Sequence, residues 1–491
     1  MAAVLALIAG ACAINTPAPP EAAIGQTTVV EDSAPAETPD PEAATPEDAA
    51  TPTQPAAAPT STSIPATPIP DAGDVPINGA AGLGDDYYEH LGNSGYDIAA
   101  YDLSLEFDAD TRSIDATALI DLTTTDALAS FNLDLVGLNV EAVNVDGVPA
   151  AFSHLGGELT ITPESPIPNG EAVVVQVDYS GVPDEVPSVA FPGSGWQDFG
   201  TAVIVAGEPE GAAGWFPAND HPLDKATFSI SITVPEGMEA AANGLLQREE
   251  TVDGRTTWFW ASDDEQATYL TTLLIGDLVF TDPEVLDNGG GGSLILRHAF
   301  EASVADRATI TMEPTAAMME RFTELFGPYP FDAYGAAVIN APLGYALETQ
   351  TMSVFGNDLL GTTTTIESFV AHELAHQWFG NHVSLSEWRD IWLNEGFATY
   401  AQYLWFEGQP GFDMNATMRQ VANTNINLSV PPGSPPVDDL FHPSVYWRGA
   451  LALHELRLTL GDDMFFDVVR TWTSRKGGGN ATTEEFIALT E

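Results

Sequence analysis

Basic residues are scarce in this sequence. There are 14 lysines and arginines against 71 aspartates and glutamates, which gives a formal net charge of -57. Nucleic-acid binding requires clustered cationic side chains that neutralise phosphates, so this composition excludes it. A surface this acidic is typical of proteins that work in salt, where ions screen the repulsion, and also of exported proteins that are kept soluble by charge. The charge therefore excludes one class of partner and identifies no substrate.

Cysteine is nearly absent as well, since Cys12 is the only one in 491 residues. An intrachain disulfide and a cysteine-ligated metal site are therefore excluded. Cys12 follows a short apolar run that ends in Ala-Gly-Ala, and this order resembles the end of a bacterial lipoprotein signal, in which the cysteine is lipidated. We predict a lipoprotein-like signal over residues 1–12 and membrane attachment through Cys12, hence an extracytoplasmic location at the cell surface or in the periplasm. The alternative is an ordinary signal peptide or an apolar terminus without function.

Residues 13–82 lack aromatic side chains and are rich in Ala, Pro, Thr and Glu. Such a segment cannot bury enough apolar surface to offset its conformational entropy, so it is predicted to be a disordered tether. Residues 83–281 contain short segments that alternate apolar and polar side chains, as in Tyr101–Phe107, and they predict a β domain. Helical patterns dominate residues 282–491, beginning with a helical pattern from about Val304 to Phe326. The fold class is therefore predicted to be multidomain α+β.

A short helix is predicted close to the C-terminus. The segment Thr482–Glu485 has the pattern of a helix start, and only six residues follow it. A helix this short is marginal by itself. Either it docks on the catalytic domain, or the domain is truncated at this end.

A motif with metal-binding spacing, His-Glu-Leu-Ala-His, occupies residues 372–376, inside the segment Thr362–Phe379 that predicts one helix. In a helix, His372 and His376 lie about 40° apart around the axis and one turn apart, so both imidazoles can bind one tetrahedral zinc ion. Glu373 projects beside them, where it can act as a general base without being a ligand. The motif is short enough to occur by chance, so it needs support from the surrounding sequence.

That support comes from Glu395, which lies 19 residues after His376. The segment Trp392–Tyr400 predicts a second helix with Glu395 in its first turns, and packing of the two helices would bring this carboxylate to the metal. Two histidines, one glutamate and an open fourth position are typical of a catalytic zinc site, whereas structural zinc sites are closed by four protein ligands. We therefore predict one Zn²⁺ per chain. The alternative for Glu395 is a solvated helix residue, which its apolar and aromatic neighbours argue against.

With these motifs the chain resembles the M1 (gluzincin) aminopeptidases from about Tyr96 to the end. The segments Trp215–Pro222 and Asp224–Ala226 look like the family's signature in its β domain, and Tyr446–Ala450 matches its Tyr-x-Lys/Arg-Gly element. The resemblance implies an N-terminal β-rich, saddle-like domain followed by an α-rich, thermolysin-like catalytic domain. It also implies that Tyr446 donates a hydrogen bond to the developing oxyanion.

The resemblance further implies residues that bind the substrate. The family's Gly-x-Met-Glu-Asn element corresponds to residues 345–349, where Glu348 keeps the glutamate, Tyr345 replaces the glycine and Thr349 replaces the asparagine. Glu208 lies where the family has a second Gln or Glu for the substrate amine. Two carboxylates around one amine would require a free N-terminus and so restrict cleavage to the first residue.

The sequence therefore predicts a zinc aminopeptidase whose partners are peptides with a free N-terminus, with no protein partner. Two alternatives stay open. The same zinc core could serve an endopeptidase if Glu348 and Glu208 do not face the site. A surface-tethered, non-catalytic peptide-binding protein is the other, although the complete set of ligands and base argues against it.

Overall fold

The structure is a computed structural model that describes residues 75–191, 193–424 and 427–491. The predicted signal with Cys12 and most of the predicted tether lie outside the described residues. The first half of the described chain is β-rich and the second half is helical. This order agrees with the predicted fold class.

The largest sheet of the described residues has eight strands. The strand Tyr96–Asp108 shows why it forms: its side chains alternate between buried and exposed along almost its whole length, so one face packs against the core and the other faces solvent. In spatial order the strands of this sheet are Leu245–Val252, Arg255–Gln266, Ala226–Pro235, Tyr96–Asp108, Ser113–Thr124, Ala172–Gly181, Asn139–Val145 and Val148–Pro149.

Two smaller sheets complete the β-rich half. One carries the strand Val203–Ala206, which is buried throughout and leads directly into the segment that holds Glu208. Its strands in spatial order are Glu185–Val186, Ser194–Asp198, Val203–Ala206, Leu273–Gly276 and Glu239–Ala242. The other sheet contains Ile77–Asn78, Leu128–Asp134, Glu158–Thr162 and Ala151–Leu155.

The folded region begins earlier than the predicted end of the tether at residue 82. Ile77 and Asn78 pair in parallel with Leu128 and Ser130, and Ala81 bridges to Asn93. Residues 77–82 were assigned to the tether because they lack aromatic side chains. They are ordered through backbone hydrogen bonds to a neighbouring strand, which composition does not reveal.

The helical half begins with small sheets. A five-stranded sheet has the spatial order Leu278–Phe280, Ala299–Glu301, Ala336–Val338, Ser353–Phe355 and Ala346–Leu347. A three-stranded sheet has the order Glu284–Asp287, Ser293–Leu296 and Ala333–Tyr334, and the strands Val383–Leu385 and Gly479–Ala481 form a pair. The last strand of the five-stranded sheet, Ala346–Leu347, leads directly into Glu348.

The α-helices of the described residues are numbered in chain order: α1 Ala305–Met312, α2 Thr315–Phe326, α3 Thr364–His376, α4 Trp392–Glu407, α5 Met414–Ala422, α6 Gly449–Leu460, α7 Asp462–Lys476 and α8 Thr483–Thr490. The helical pattern predicted from about Val304 to Phe326 is confirmed and forms two helices, because the chain breaks between α1 and α2 at Pro314. Proline has no N–H for the helical hydrogen bond and its ring clashes with the preceding turn. None of the described helices is long and apolar enough to cross a membrane.

Helices α3, α4 and α6 position the site. Thr363 caps the start of α3, where its hydroxyl accepts a hydrogen bond of 3.3 Å from the N–H of Ile366. Helix α3 ends at His376, three residues before the predicted end. The rings of Phe379 and Phe397 stack with centroids 4.4 Å apart and join the region after α3 to α4. The helix predicted over Thr362–Phe379 is therefore confirmed, but it is shorter than predicted at both ends.

Close backbone approach brings the start of α6 against α4. A Cβ atom built on Gly449 would lie 2.8 Å from the Cα of Gly396, which is closer than real contacts allow. Only glycine at these two positions lets the chain pass this near. The π-helical turn Ser444–Arg448 immediately precedes α6. The glycine contact therefore places this turn next to the first turns of α4, where Glu395 lies.

The predicted C-terminal helix docks. Thr482 and Glu485 form a capping box at the start of α8, and Phe486 is buried against Trp392 and Trp472. The indole N–H of Trp392 donates a 2.8 Å hydrogen bond to the hydroxyl of Thr483. This short helix therefore supports the first turn of α4, which bears Glu395.

Candidate active site

The three predicted zinc ligands converge in the structure. His372 Nε2 lies 3.0 Å from Glu395 Oε2, and His376 Nε2 lies 3.5 Å from the same oxygen. All three side chains are buried, and their ligand atoms lie within 4.8 Å of one another. The two histidines come from one face of α3 and the glutamate from the first turn of α4, as the spacing predicts. Two imidazole nitrogens and one carboxylate oxygen are a donor set that fits Zn²⁺ with one open position.

The second nitrogen of His376 fixes which nitrogen faces the metal. Its Nδ1 lies 3.0 Å from the backbone carbonyl oxygen of Phe379, and a carbonyl oxygen can only accept. In the neutral form of the ring, which is the form that binds a metal ion, Nδ1 therefore carries the hydrogen and Nε2, on the side of Glu395, carries the lone pair. This arrangement is typical of metal-bound histidines, whose outer nitrogen donates to a backbone or carboxylate oxygen.

The site has an excess of negative charge. Glu373 and Glu348 are buried beside His376, and their ligand atoms form a second group within 4.8 Å. Burial by itself would lower the pKa of His376, but Glu348, Glu395 and Glu373 outweigh it and raise this pKa to about 10. Burial would likewise raise the pKa of Glu395, but His376 and His372 outweigh it and lower this pKa to about 2. The carboxylates thus hold a proton on a histidine unless another cation takes its place, which agrees with a metal site.

Glu208 and Glu348 add two further buried carboxyl groups. Glu208 is 4% exposed and Glu348 is 2% exposed, and the Oε1 atom of each is buried without a hydrogen-bond partner among the described residues. Burial, and then the charges of Glu348, Glu395 and Glu373, hold the pKa of Glu208 well above its usual range. Glu348 Oε1 does lie 3.8 Å from Nδ1 of His376, beyond hydrogen-bond distance. Buried carboxyl oxygens normally have donors, so both atoms have the capacity to accept hydrogen bonds from a bound cation.

Tyr446 lies beside the zinc ligands. It belongs to the π-helical turn Ser444–Arg448, and its ring lies roughly parallel to that of His372 with centroids 6.1 Å apart. The side chain is half-buried. Single π-helical turns occur often at functional sites. The structure therefore places the ring of Tyr446 beside the predicted zinc ligand His372, and the role of Tyr446 as a hydrogen-bond donor stays a prediction.

Tyr345 occupies the position at which the resemblance has glycine. Its hydroxyl accepts a 2.5 Å hydrogen bond from the side-chain amide of Gln197, and its ring packs edge-on against Phe191 with centroids 4.5 Å apart. Phe191 in turn contacts Phe441 at 6.1 Å. Tyr345 thus belongs to a cluster of aromatic side chains, Phe191, Tyr345 and Phe441, that come from both halves of the chain. Its contact with substrate stays a prediction.

Sequence reasoning missed two residues of this region. Tyr269 is buried, and both burial and the charges of Glu348, Glu208 and Glu395 raise its pKa, so its hydroxyl keeps its proton beside them. Gln377 directly follows the last zinc ligand of α3 and contacts the segment that carries Glu348. Gln377 could have been identified from the sequence only because it follows His376 directly. No feature of the sequence indicated that Tyr269 belongs to the site.

Family models match both halves of the chain. The model of the Peptidase M1 N-terminal domain matches residues 98–270, and that of the Peptidase family M1 domain matches residues 310–491. Leucyl aminopeptidase from Saccharolobus solfataricus is 26% identical over 361 residues, which are 68% of this chain and 44% of that protein. Aminopeptidase N from Canis lupus familiaris is 28% identical over 277 residues, 51% of this chain and 28% of that protein. The chain thus spans less than half the length of these relatives.

Solved structures cover more of the chain. An M1 zinc metallopeptidase from Deinococcus radiodurans superposes with a TM-score of 0.77 and 31% identity, over 83% of this chain and 92% of that one. A mutant of an M1 zinc metallopeptidase from the same organism, bound to a Tyr-Ser-Ala substrate, matches equally well, with 31% identity over 83% of this chain and 93% of that one. The chain therefore belongs to peptidase family M1, the family of these zinc metallopeptidases.

Proposed function

We propose that this protein is a zinc aminopeptidase that removes the first residue from peptides with a free N-terminus. One observation carries the proposal: the unpartnered carboxyl oxygens of Glu208 and Glu348 are buried beside the ligands His372, His376 and Glu395. A peptide's α-ammonium group is a compact cation with three donors, and it suits these oxygens. The Tyr-Ser-Ala substrate held by the similar structure from Deinococcus radiodurans supports peptides as the substrate class.

The residues divide the chemistry among them. Bound zinc would be held by His372, His376 and Glu395, and it would supply Lewis acidity to the scissile carbonyl and to the attacking water. Glu373 accepts a proton from that water as its oxygen attacks the carbonyl carbon, and it delivers the proton to the leaving nitrogen as the C–N bond breaks. The phenol of Tyr446 donates a hydrogen bond to the carbonyl oxygen while negative charge develops there.

Cleavage after the first residue follows from the fixed distance between the carboxyl groups that would bind the amine and the ligands that would hold the metal. Glu348 and Glu208 would bind the α-amine, while the ligands of α3 and α4 hold the metal, so the reacting carbonyl is the one nearest to the amine. An N-blocked peptide has no cation for the two carboxyl groups, and their desolvation and mutual repulsion would stay uncompensated. The acidic pair thereby rejects blocked chains as well as binding free ones.

Paired quenched peptides test this proposal. The two peptides share one sequence, and one has a free amine while the other is N-acetylated. Both are assayed before chelator treatment, after it, and after zinc is restored. We expect hydrolysis of the free peptide, its loss with chelator, its return with zinc, and no hydrolysis of the acetylated peptide. Cleavage of the acetylated peptide would instead show an endopeptidase on the same core. No cleavage of either peptide by zinc-loaded protein would support the non-catalytic peptide-binding alternative.

We also propose that Cys12 is lipidated and that the protein is extracytoplasmic and membrane-attached. The proposal is supported by the apolar run ending in Ala-Gly-Ala before Cys12 and by the Pro-rich tether composition that follows. Metabolic labelling with a clickable fatty acid in a bacterial host should label the wild-type chain and leave Cys12→Ala unlabelled and released from membranes. Equal labelling of both chains would contradict the proposal.

A further inference from the structure

Two backbone groups of the turn that carries Glu348 are hydrogen-bonded to a side chain from outside the turn. Glu348 follows the strand Ala346–Leu347, which pairs with Ser353–Phe355, so Glu348 begins the turn between the two strands. The side-chain amide of Gln377 lies across this turn. Its Nε2 donates to the backbone carbonyl oxygen of Glu348 at 3.1 Å, and its Oε1 accepts from the N–H of Thr351 at 2.9 Å.

These two backbone groups would bond each other in an ordinary β-turn. A turn closes when the carbonyl of its first residue accepts from the N–H of its fourth, and Glu348 and Thr351 stand in that relation. Here one primary amide replaces the direct bond and satisfies both groups. The turn also contains a residue with positive φ, Thr351 at 64°, which β-branched residues rarely adopt. A conformation of this kind persists when its surroundings fix it.

The amide comes from the residue after a metal ligand. Gln377 ends helix α3 directly after His376, and its side chain is fully buried. Asn381, in the same region after α3, adds a second donor to the Glu348 carbonyl at 2.8 Å. The segment that bears the amine anchor is therefore attached to the segment that bears a zinc ligand.

The β-rich half holds the same turn from another direction. The N–H of Gln350 donates to the carbonyl of Leu270 at 3.0 Å, and the Asn243 amide donates to the carbonyls of both Leu270 and Gln350 at 2.9 and 2.6 Å. These contacts hold the middle of the turn. Contact with the carbonyl of Glu348 itself comes from Gln377 and Asn381.

We propose that Gln377 is a positioning residue that sets the place of Glu348 relative to the zinc ligands, and that it thereby determines how strongly the enzyme requires a free substrate amine. The inference rests on the proposed aminopeptidase function and deepens it. Without the donor of Gln377, the carbonyl of Glu348 loses a buried hydrogen bond and the turn can relax. The carboxyl group then leaves the position that suits the amine, while the metal ligands stay in place.

Direct binding measurements separate these effects. The zinc-loaded full chain is titrated by calorimetry with L-leucine hydroxamate and with isocaproyl hydroxamate, which has the same side chain and metal-binding group but no amine. The ratio of the two Kd values measures the contribution of the amine. The variants are Gln377→Leu, which removes both hydrogen bonds, and Gln377→Met, which is closer to glutamine in shape and also has neither the amide donor nor the amide acceptor. Gln266→Leu is the matched control, because Gln266 is equally buried and its amide donates to the hydroxyl of Thr271 and not to the backbone of residues 348–351.

We expect wild-type protein to prefer the amine-bearing hydroxamate and both Gln377 variants to lose about tenfold or more of that preference, since a buried hydrogen bond is lost. Affinity for isocaproyl hydroxamate and zinc content should stay unchanged, and the control should keep the wild-type ratio. In a Glu348→Gln background, adding Gln377→Leu should change the ratio no further, because both substitutions act through one group.

Three outcomes would overturn the inference. The wild-type ratio could survive in a folded Gln377 variant, which would show that Gln377 does not position the anchor. Both hydroxamates could weaken equally, which would place its effect on the metal site. A wild-type ratio near one would overturn the proposed function itself, which is distinguishable from the first two results. If Gln377→Leu does not fold, Gln377→Met decides the question.

Discussion

The buried acidic groups of the β-rich half and those of the active site differ in the hydrogen-bond donors that surround them. In the β-rich half, Asp85, Asp134, Asp220 and Asp224 are buried and each has donors from the chain itself. Asp220 accepts from the N–H groups of Gly211 and Ala213 at 3.3 and 3.2 Å and from the Thr268 hydroxyl at 2.7 Å. Asp85 accepts from the N–H of Trp388 and that of Tyr87, both at 2.7 Å.

In the active site the buried acids lack such donors. Glu208 and Glu348 each have an oxygen without a partner among the described residues, and the neighbouring Glu373 and Glu395 add further negative charge. A buried carboxylate that the chain satisfies is a structural element. A buried carboxylate that the chain leaves unsatisfied lowers the stability of the fold. Under the proposed function, a metal ion and a substrate amine would supply the partners that such a carboxylate lacks. The difference in donors thus separates structural acids from functional ones.

The largest expected effect comes from Glu373→Gln. The side chain keeps its volume but loses the ability to accept a proton, so we expect kcat to fall by about 10²–10⁴. Zinc content measured by elemental analysis should be unchanged, because Glu373 is not a ligand. Thermal stability should not fall, in contrast with the acids of the β-rich half. Normal turnover by this variant would refute the assigned role of Glu373.

Asp85→Asn should have the opposite effect to Glu373→Gln, because it should lower stability and leave turnover unchanged. Burial would raise the pKa of Asp85, but the hydrogen bond with His221 and the N–H groups of Trp388 and Tyr87 outweigh it and lower this pKa. The stabilising effect of the charge is therefore complete above the unfolded pKa of about 3.9 and is lost as pH falls through the lower folded value. At neutral pH we expect a loss of about 1–3 kcal/mol in the free energy of unfolding, measured with urea.

The control for Asp85→Asn is activity at a temperature where the variant is folded. There kcat and the preference for free over acetylated peptide should match wild type. A changed preference would show that Asp85 acts on the site as well as on the fold, and it would weaken the distinction between the two groups of acids.

The smallest expected effect is that of Glu208→Gln on stability. Its pKa is raised by burial and by three neighbouring carboxylates, so at neutral pH the ionised form opposes folding, and removing the charge should raise the melting temperature of the zinc-free protein by a few degrees. The same variant should lose part of its discrimination against acetylated peptides. A lower melting temperature would mean that Glu208 is held by donors after all, like the acids of the β-rich half.

The sequence predicted those features that depend on local periodicity and fixed spacing. Alternating side chains over Tyr101–Phe107 predicted a strand that the structure extends to Tyr96–Asp108, and the spacing of His372, His376 and Glu395 predicted three groups that do converge. The boundaries were less accurate, because Pro314 interrupts a pattern that otherwise suits one helix. Residues 77–82 had no periodic signal, since they are ordered by backbone pairing with the strand Leu128–Asp134 and with residues 92–94.

Contacts between remote segments could not be predicted from pattern alone. Glu208 and Glu348 were found only through resemblance to a family, because in a chain this acidic a single glutamate carries no information. The hydrogen bonds of Gln377 depend on how a turn some 29 residues away is folded. Tyr269 reaches the carboxylates because its segment packs against the Glu348 turn, and no local rule describes that packing.

The buried amine of Lys225 links the β-rich and helical halves at the site. Its Nζ donates to the carbonyl of Asn381 at 2.9 Å, and Asn381 in turn donates to the carbonyl of Glu348. Swinging the halves apart at this edge would leave a buried donor without its acceptor, which is costly. The segment of Glu348 is therefore tied to the β-rich half through a continuous series of hydrogen bonds, and we expect the two halves to move together at this edge.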